Sequence, residues 1–593
     1  MNTYEKLTSL RQKMNAEGIF SCIIPSGDPH LSEYPTEHWK IREWISGFTG
    51  SAGTLVVTMQ QAGLWTDSRY YLQASEQLDG NCISLFKEGM PDVPEYTNWL
   101  INNVPKGSKI GINNKLFSIT KSRELVKTFC ENGFIVDENF ALAEEIWNTR
   151  PSMPDNAITS LPNNITGFSR SEKLEQIREE MKKTGAVHYI TGSLDEIAWT
   201  LNLRGSDVLF NPVFYCFLVI SLDSAKLFIN PHKLSTHLAK EIDDDNIKVH
   251  LYDRFYTYLK DISADSETVL IDPSRTNMAT FNALSRNVIK RESDSIITNL
   301  KAIKNETEIA NFRQAMIKDG VAMVHFLAWL NRNFEKETIT ELSAAKKLTG
   351  FREEQTGFSG ESFATISSYG HHGAIVHYSV TPETDIPLKP GGIYLVDSGG
   401  QYTLGTTDIT RTIALGEVSE QMKTDYTLVL KGHIALAMAV FPAGTRGVQL
   451  DILARKALWE HRLNFGHGTG HGVGYFLNVH EGPQTIRTQD NGVTMKPGMV
   501  TSNEPGLYRA GKYGIRIENL ILCIEKEETE FGKFLAFETL TLCPLDVKLI
   551  KKGLLSDDEI NWINEYHKMV YETLSQLILH ESLEWLKEAV REI

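Results

Sequence analysis

A chain of 593 residues exceeds what one hydrophobic core supports, since domains usually run about 50 to 250 residues; length alone predicts about three domains. Its composition, 41% hydrophobic and 23% charged, is that of a soluble globular protein, and 75 acidic against 60 basic residues, a formal charge of -15, argue against a nucleic-acid partner. Six scattered cysteines exclude a disulfide framework, and with neither an apolar leader at the start nor 18 uninterrupted apolar residues the expected location is the cytoplasm, with no membrane as partner.

The opening stretch YEKLTSLRQKMNAEGIFSCIIPSGD has apolar positions at helical spacing, a glycine at the expected helix stop and then the β-rich FSCII. The pattern returns in SEKLEQIREEMKKTGAVHYITGSLD, where Lys173, Leu174, Arg178, Met181, Gly185, Ser193 and Asp195 match Lys6, Leu7, Arg11, Met14, Gly18, Ser26 and Asp28. Such a repeat predicts two similar α/β domains. The linker-like NTRPSMPDNAITSLPNN closes the first, giving 1–155 and 156–300. From KAIKNETEI onward, Ile309, Phe312, Met316, Met323 and Leu327 recur at helical spacing, so a long amphipathic helix opens a third domain, 301–593. His325 on that helix reads as structural. The charge runs EIDDDN and EKEETE read as solvated turns. Ser556, three places before Glu559, has the capping-box spacing and starts a terminal helix or helix pair, whose Trp and Leu side chains cover either this domain or a second subunit.

The polar residues that could carry chemistry concentrate in the third domain. In SSYGHHGAIVHYSV, His371 and His372 read as a loop pair and His377 as part of a β-like run, able to face a cleft or to sit in a core. In GGIYLVDSGGQYTLGTTDITRT, two β-like runs place Asp397 on one strand and Asp408 on the next, where a hairpin brings them face to face. NFGHGTGHGVGYFLNVHEGP carries His467, His471 and His480 among glycines expected to let the backbone pass close to a pocket. In VTSNEPGLYRAGKYGIRIEN, Glu504 precedes a Pro-Gly turn and Glu518 lies on a following strand, sharing a face with Arg516. Each acid taken singly reads equally as an ordinary turn or strand-end carboxylate. Together they need a cation, because like charges and desolvation both penalise ionised carboxylates. Four carboxylates and one imidazole exceed a four-coordinate zinc site but suit two cations bridged by carboxylates and a water or hydroxide. An oxygen-rich set with one imidazole favours manganese and permits cobalt, zinc or iron. No G-x-G-x-x-G, phosphate loop, H-E-x-x-H or G-x-S-x-G competes.

The segments AIVHY, LVDSGG, TTDITRT, HGTGHGVG, NEPG and IRIEN, in this order, resemble the metallopeptidases of the pita-bread fold, and closely the three-domain cytosolic Xaa-Pro aminopeptidases, the aminopeptidase P family. GFTGSAGTLVVT and WTDSRYYLQA resemble that family's first domain, NLRGSDVLFNPVF its second and KNETEI the start of its catalytic domain. The resemblance implies an α/β chain in which two creatinase-N-terminal-like domains precede a pita-bread catalytic domain with a C-terminal helical extension. It implies two divalent metal ions held by Asp397, Asp408, His471, Glu504 and Glu518, with Asp408 and Glu518 bridging and Glu504 also assisting proton transfer. His377, His467 and His480 then match non-ligand active-site histidines, and Arg516 a buried arginine that holds ligating carboxylates. The implied reaction is hydrolysis of the bond between any N-terminal residue and a penultimate proline by a metal-bridged hydroxide, in a homodimer. A prolidase acting on Xaa-Pro dipeptides is the enzyme alternative, and a silent peptide-binding or assembly protein on the same scaffold is the alternative of another class. SYGHHGA departs from many relatives.

Overall fold

The computed structural model describes residues 1–262 and 267–593. The chain divides into two compact units, Met1–Leu161 with Phe168–Leu209 and Val213–Ile297, and Pro162–Gly167 with Phe210–Pro212 and Thr298–Ile593.

In the first unit, the helix Thr3–Ala16 starts at Asn2, where Asn2 and Glu5 cap each other reciprocally; it buries Leu7, Leu10 and Met14 and gives way at Gly18, φ 66°, to the strand Ile19–Pro25. The later copy uses the same devices: a Ser169–Glu172 capping box, the helix Arg170–Thr184 with Leu174, Ile177 and Met181 buried, a left-handed Gly185 and the strand His188–Thr191. The likeness extends to topology. Ile19–Pro25 pairs antiparallel with Thr54–Thr58 on one side and parallel with Lys109–Gly111 on the other, in the order Ser84–Lys87, Ala62–Thr66, Thr54–Thr58, Ile19–Pro25, Lys109–Gly111, Ile135–Asp137. His188–Thr191 occupies the same central place in the order Ile247–His250, Ala225–Phe228, Phe217–Ser221, His188–Thr191, Thr268–Ile271, Ile289–Glu292, with the same pairing senses.

The longest helix of the second unit is the 28-residue Glu306–Asn333, capped reciprocally by Asn305 and Glu308. His325 on that helix binds Ser582 through Nδ1 at 2.9 Å, a packing role. The helices Asp557–Leu574 and His580–Ala589 fold back onto the unit, with Ile563, Tyr566, Val570, Leu574 and Leu586 buried in one cluster with Val429, Ile515 and Ile517. Among the described residues no helix is long and apolar enough to cross a membrane.

Each charge run is mostly regular structure and only ends in a turn. EIDDDN forms the last turn of the helix Thr236–Asp244, because Ile242 inside the run is fully buried and holds the helix on; only Asp245 and Asn246 turn. EKEETE is the exposed outer half of the strand Asn519–Thr529, paired with Gly532–Thr539, and the reversal falls beyond Thr529 at Glu530–Phe531 before Gly532, φ 102°.

Candidate metal centre

Two sheets of the second unit deliver the acids. The strand Gly392–Ser398 lies between Ile366–Tyr369 and Ile409–Leu415, which sets Asp397 opposite Thr410 and leaves Asp408 at the entry to the third strand. In the six-stranded sheet, Gly470–Gly472 neighbours Val500–Asn503, which neighbours Asn519–Thr529. The pair Asn503 and Asn519 ends that ladder, so Glu504 and Glu518, the next residues outward, leave it side by side. Thr410 joins the two sheets: its hydroxyl donates to Glu518 Oε2 at 2.7 Å and its carbonyl accepts from Glu518 N at 3.1 Å.

One donor atom each from Asp408, His471 and Glu518 lies within 4.8 Å of the others. His471 Nε2 stands 3.4 Å from Asp408 Oδ2 and 3.7 Å from Glu504 Oε1. Its Nδ1 donates to Gly472 O at 2.9 Å, so that once Nε2 gives up its proton its lone pair faces the carboxylates. Asp397 Oδ2 accepts from Arg516 Nη2 at 2.6 Å, while its buried Oδ1 has no hydrogen-bond partner. Arg516, almost fully buried, also donates to Thr410 Oγ1 at 3.2 Å and to Tyr508 OH at 2.7 Å, and that hydroxyl bonds His467 Nε2 at 2.8 Å.

This cluster carries more negative charge than its solvation supports. Burial pushes Glu504 up to about 7, against the pull of His471 and Arg516. Burial, with Asp408 and Asp397 adding repulsion, raises Glu518 well above the carboxylate range, and burial raises Asp397 despite Arg516. Burial works against the His471 imidazolium, yet Asp408 and Glu504 lift it to about 9. An orphaned carboxylate oxygen, an imidazole lone pair and acids straining toward protonation are the donor set a pair of divalent cations would satisfy, and the residues fit that group.

The structure brings Asp397, Asp408, His471, Glu504, Glu518 and Arg516 together. His480 meets His471 edge to face, ring centroids 4.5 Å apart, and His467 Nδ1 comes within 3.8 Å of Glu504. His377 is not on a strand. It sits in a turn, closed by Tyr378 N donating to Ile375 O at 3.1 Å, after the 3-10 segment Gly370–Ala374. Donors from Tyr369, His372 and Tyr378 to a buried carboxylate curl this apolar run back, and the carbonyl of Val376 accepts from Arg516 Nη1 at 3.4 Å. Glu518 lies in a break, Ile517–Glu518, between the strands Tyr513–Arg516 and Asn519–Thr529 rather than on either. The glycines around His471 face other backbone instead of the pocket: a Cβ on Gly470 would stand 2.0 Å from Ser502 O, and one on Gly472 2.6 Å from Glu481 O. Sequence reasoning missed Tyr508 and the pair Lys301 and Lys304, whose ammonium groups bind Glu481, next to His480, at 2.6 and 2.5 Å with all three side chains buried. The doubled lysine in KAIKN was the available signal.

The chain matches known proteins along its whole length. The family model described as Metallopeptidase family M24 matches residues 310–525, and the C-terminal region of that peptidase matches 533–593. Two models of a Creatinase/Prolidase N-terminal domain match 6–140 and 149–308. The chain is 40% identical over 611 residues to a probable Xaa-Pro aminopeptidase P of Coprinopsis cinerea, covering 99% of this chain and 98% of the relative. The chain belongs to metallopeptidase family M24. Within M24 it is equally similar to the Xaa-Pro aminopeptidase of Drosophila melanogaster, 40% identical over the full length of both. A solved structure, the X-prolyl aminopeptidase of Caenorhabditis elegans, described as a cytosolic enzyme with a di-nuclear active site, superposes with a TM-score of 0.96 at 34% identity, the match covering all of both chains.

Proposed function

We propose that this M24 chain is a metalloexopeptidase that removes the N-terminal residue preceding proline from peptides. The observation that carries the reading is the convergence of Asp408, His471 and Glu518 beside the unpartnered Oδ1 of Asp397, in a chain similar end to end to X-prolyl aminopeptidases. Two divalent cations, manganese by the oxygen-rich donor set, held by Asp397, Asp408, His471, Glu504 and Glu518, would supply Lewis-acid activation of water and of the scissile carbonyl. Arg516 neutralises one oxygen of Asp397 and so aims the other into the cluster. Glu504, whose Oε1 lies 3.7 Å from His471 Nε2, is the proton carrier. A nitrogen leaving as proline is tertiary in the substrate and holds no hydrogen, so a delivered proton is indispensable. His480 and His377 are the donors to the carbonyl oxygen as it gains charge. His467, fixed through Tyr508, shapes the wall on the proline side.

The same reading divides the chain at 1–155, 156–300 and 301–593, supported by one six-stranded sheet in each of the first two stretches. It places the enzyme in the cytosol, supported by the description of the nematode relative. It makes the enzyme a homodimer, supported by the exposed apolar side chains Met438, Val440, Ile452 and Trp459 around two packed helices.

Protein stripped by a chelator and resupplied with manganese or cobalt, then offered Arg-Pro-Pro and an Xaa-Pro dipeptide, tests this. The expected result is release of arginine from the tripeptide only after metal is restored. Cleavage of the dipeptide alone would make the enzyme a prolidase, and undiminished turnover in metal-free protein would end the mechanism.

A further inference from the structure

SYGHHGA, the segment with the paired histidines His371 and His372, is tied to one buried carboxylate. Glu341 opens the helix Glu341–Glu353 and is fully buried. Its Oε1 accepts from Tyr369 N at 2.6 Å, both oxygens lie 3.0 Å from His372 Nδ1, and Oε2 accepts from Tyr378 OH at 3.1 Å. The His372 ring also stacks on Tyr378, centroids 4.5 Å apart and planes 26° from parallel. One carboxylate thus gathers a backbone donor, an imidazole and a phenol from a single ten-residue segment, and the residue before Tyr378 is His377.

The opposite side of the segment has no slack. Gly373 lies against Gly514, where a Cβ added at Gly514 would stand 1.7 Å from Gly373 O. Two positions further along that strand is Arg516, which holds Asp397 and reaches Val376 O. The turn carrying His377 is therefore gripped from Glu341 on one side and from the Tyr513–Arg516 strand on the other. A buried carboxylate is costly to leave short of donors, so the three Glu341 bonds fix the segment rather than decorate it.

We infer that His372, through its bond to Glu341 and its stack on Tyr378, is a positioning residue that sets where His377 stands in the active site. His372 touches no reacting atom in this account. It limits the travel of the turn, and misplacement of an active-site donor by about 1 Å can cost up to about 100-fold in rate. The inference rests on the aminopeptidase reading wherever activity is the readout.

The test uses the full chain with manganese and three substitutions. His372→Leu keeps bulk and removes the donor; His372→Asn places an amide N–H where Nδ1 was; His377→Ala removes the group being positioned. For Arg-Pro-Pro, His372→Leu should lower kcat about 10-fold with KM within about twofold, and His372→Asn should recover most of it. In a His377→Ala background, adding His372→Leu should cost less than about twofold, because residues that act through one another are not additive. An undiminished kcat in His372→Leu, or the same 10-fold loss without His377, would overturn the proposal. Hydrogen exchange over residues 369–378 supplies an activity-independent arm. It should accelerate in His372→Leu and not in His372→Asn, and unchanged exchange in both would overturn the clasp. If the unmutated enzyme cleaves no Xaa-Pro peptide, the functional reading has failed and the exchange result alone decides this one.

Discussion

Gly470 and Gly468 sit on either side of Thr469 and look alike in the sequence, yet their surroundings differ sharply. A Cβ on Gly470 would collide with the Ser502 carbonyl and crowd Thr501 Cγ2 at 3.3 Å, while the nearest atom to one on Gly468 is Arg487 Cβ at 3.5 Å. Gly470→Ala must push the strand of His471 away from the strand leading to Glu504. The expected result is a loss of about 1 to 3 kcal/mol in a denaturant titration, with weaker manganese binding by calorimetry. Gly468→Ala should change neither, and equal effects at both positions would mean that close strand approach is not what Gly470 provides. At this scale the acids were legible because each stands in a short segment that also carries its turn or strand signal. The geometric purpose of the glycines was not, since sequence shows that a backbone must come close to something without showing to what. Tyr508 was invisible for a related reason: nothing in EPGLYRAG separates a tyrosine that bridges Arg516 to His467 from one that packs. The partners of Glu481 lie 180 and 177 residues away.

Elements with their own start and stop chemistry were read correctly, and elements bent by a distant partner were not. The helix Asp557–Leu574 announced itself through Ser556 and Glu559. AIVHY looks like a strand because its apolar and β-branched residues satisfy strand propensity, yet it is held in a turn by the distant partners Glu341 and Arg516. The helix Asp557–Leu574 also carries a buried titratable group. Its fully buried His567 accepts from Leu545 N through Nε2 at 3.1 Å, a bond available only to the neutral ring. Burial, with Arg411 adding to it, depresses His567 to about 4. In the unfolded chain the ring titrates near 6.5, so between about 6.5 and 4 the unfolded state holds the extra proton. Stability should therefore fall as pH drops through that window, by up to about 1.4 kcal/mol per pH unit from this residue, with no contribution above it. His433, held near 3 by burial with Arg411 adding to it, acts with the same sign. Urea midpoints from pH 7 to 4.5 should show a shallower decline for His567→Gln, whose amide oxygen can still accept from Leu545 N. Superimposable declines would mean that the His567 ring is not held neutral.

Across the whole molecule, the internal repeat was the most informative feature of the sequence, because matched helix stops and strand starts force matched sheet orders. What repeat detection could not give is the grouping: the six-stranded sheets of the two repeats lie in one compact unit, and every candidate cation donor lies in the other, within Thr298–Ile593. That separation has a thermodynamic consequence. A ligand that binds only the folded state stabilises it by RT ln(1 + [L]/Kd), about 2.7 kcal/mol when its concentration is 100 times Kd, and it acts on the part of the chain whose folding creates the site. Differential scanning calorimetry of chelated protein and of protein with manganese should show one transition moving to higher temperature and another staying in place. Glu518→Gln, which leaves Thr410 a partner while removing a charge from the cluster, should greatly reduce the movement. If both transitions shift together, the two units unfold as one cooperative body. If Glu518→Gln keeps the full shift, the cation binds outside this cluster, because a site that has lost one of four converging carboxylates cannot retain its original affinity.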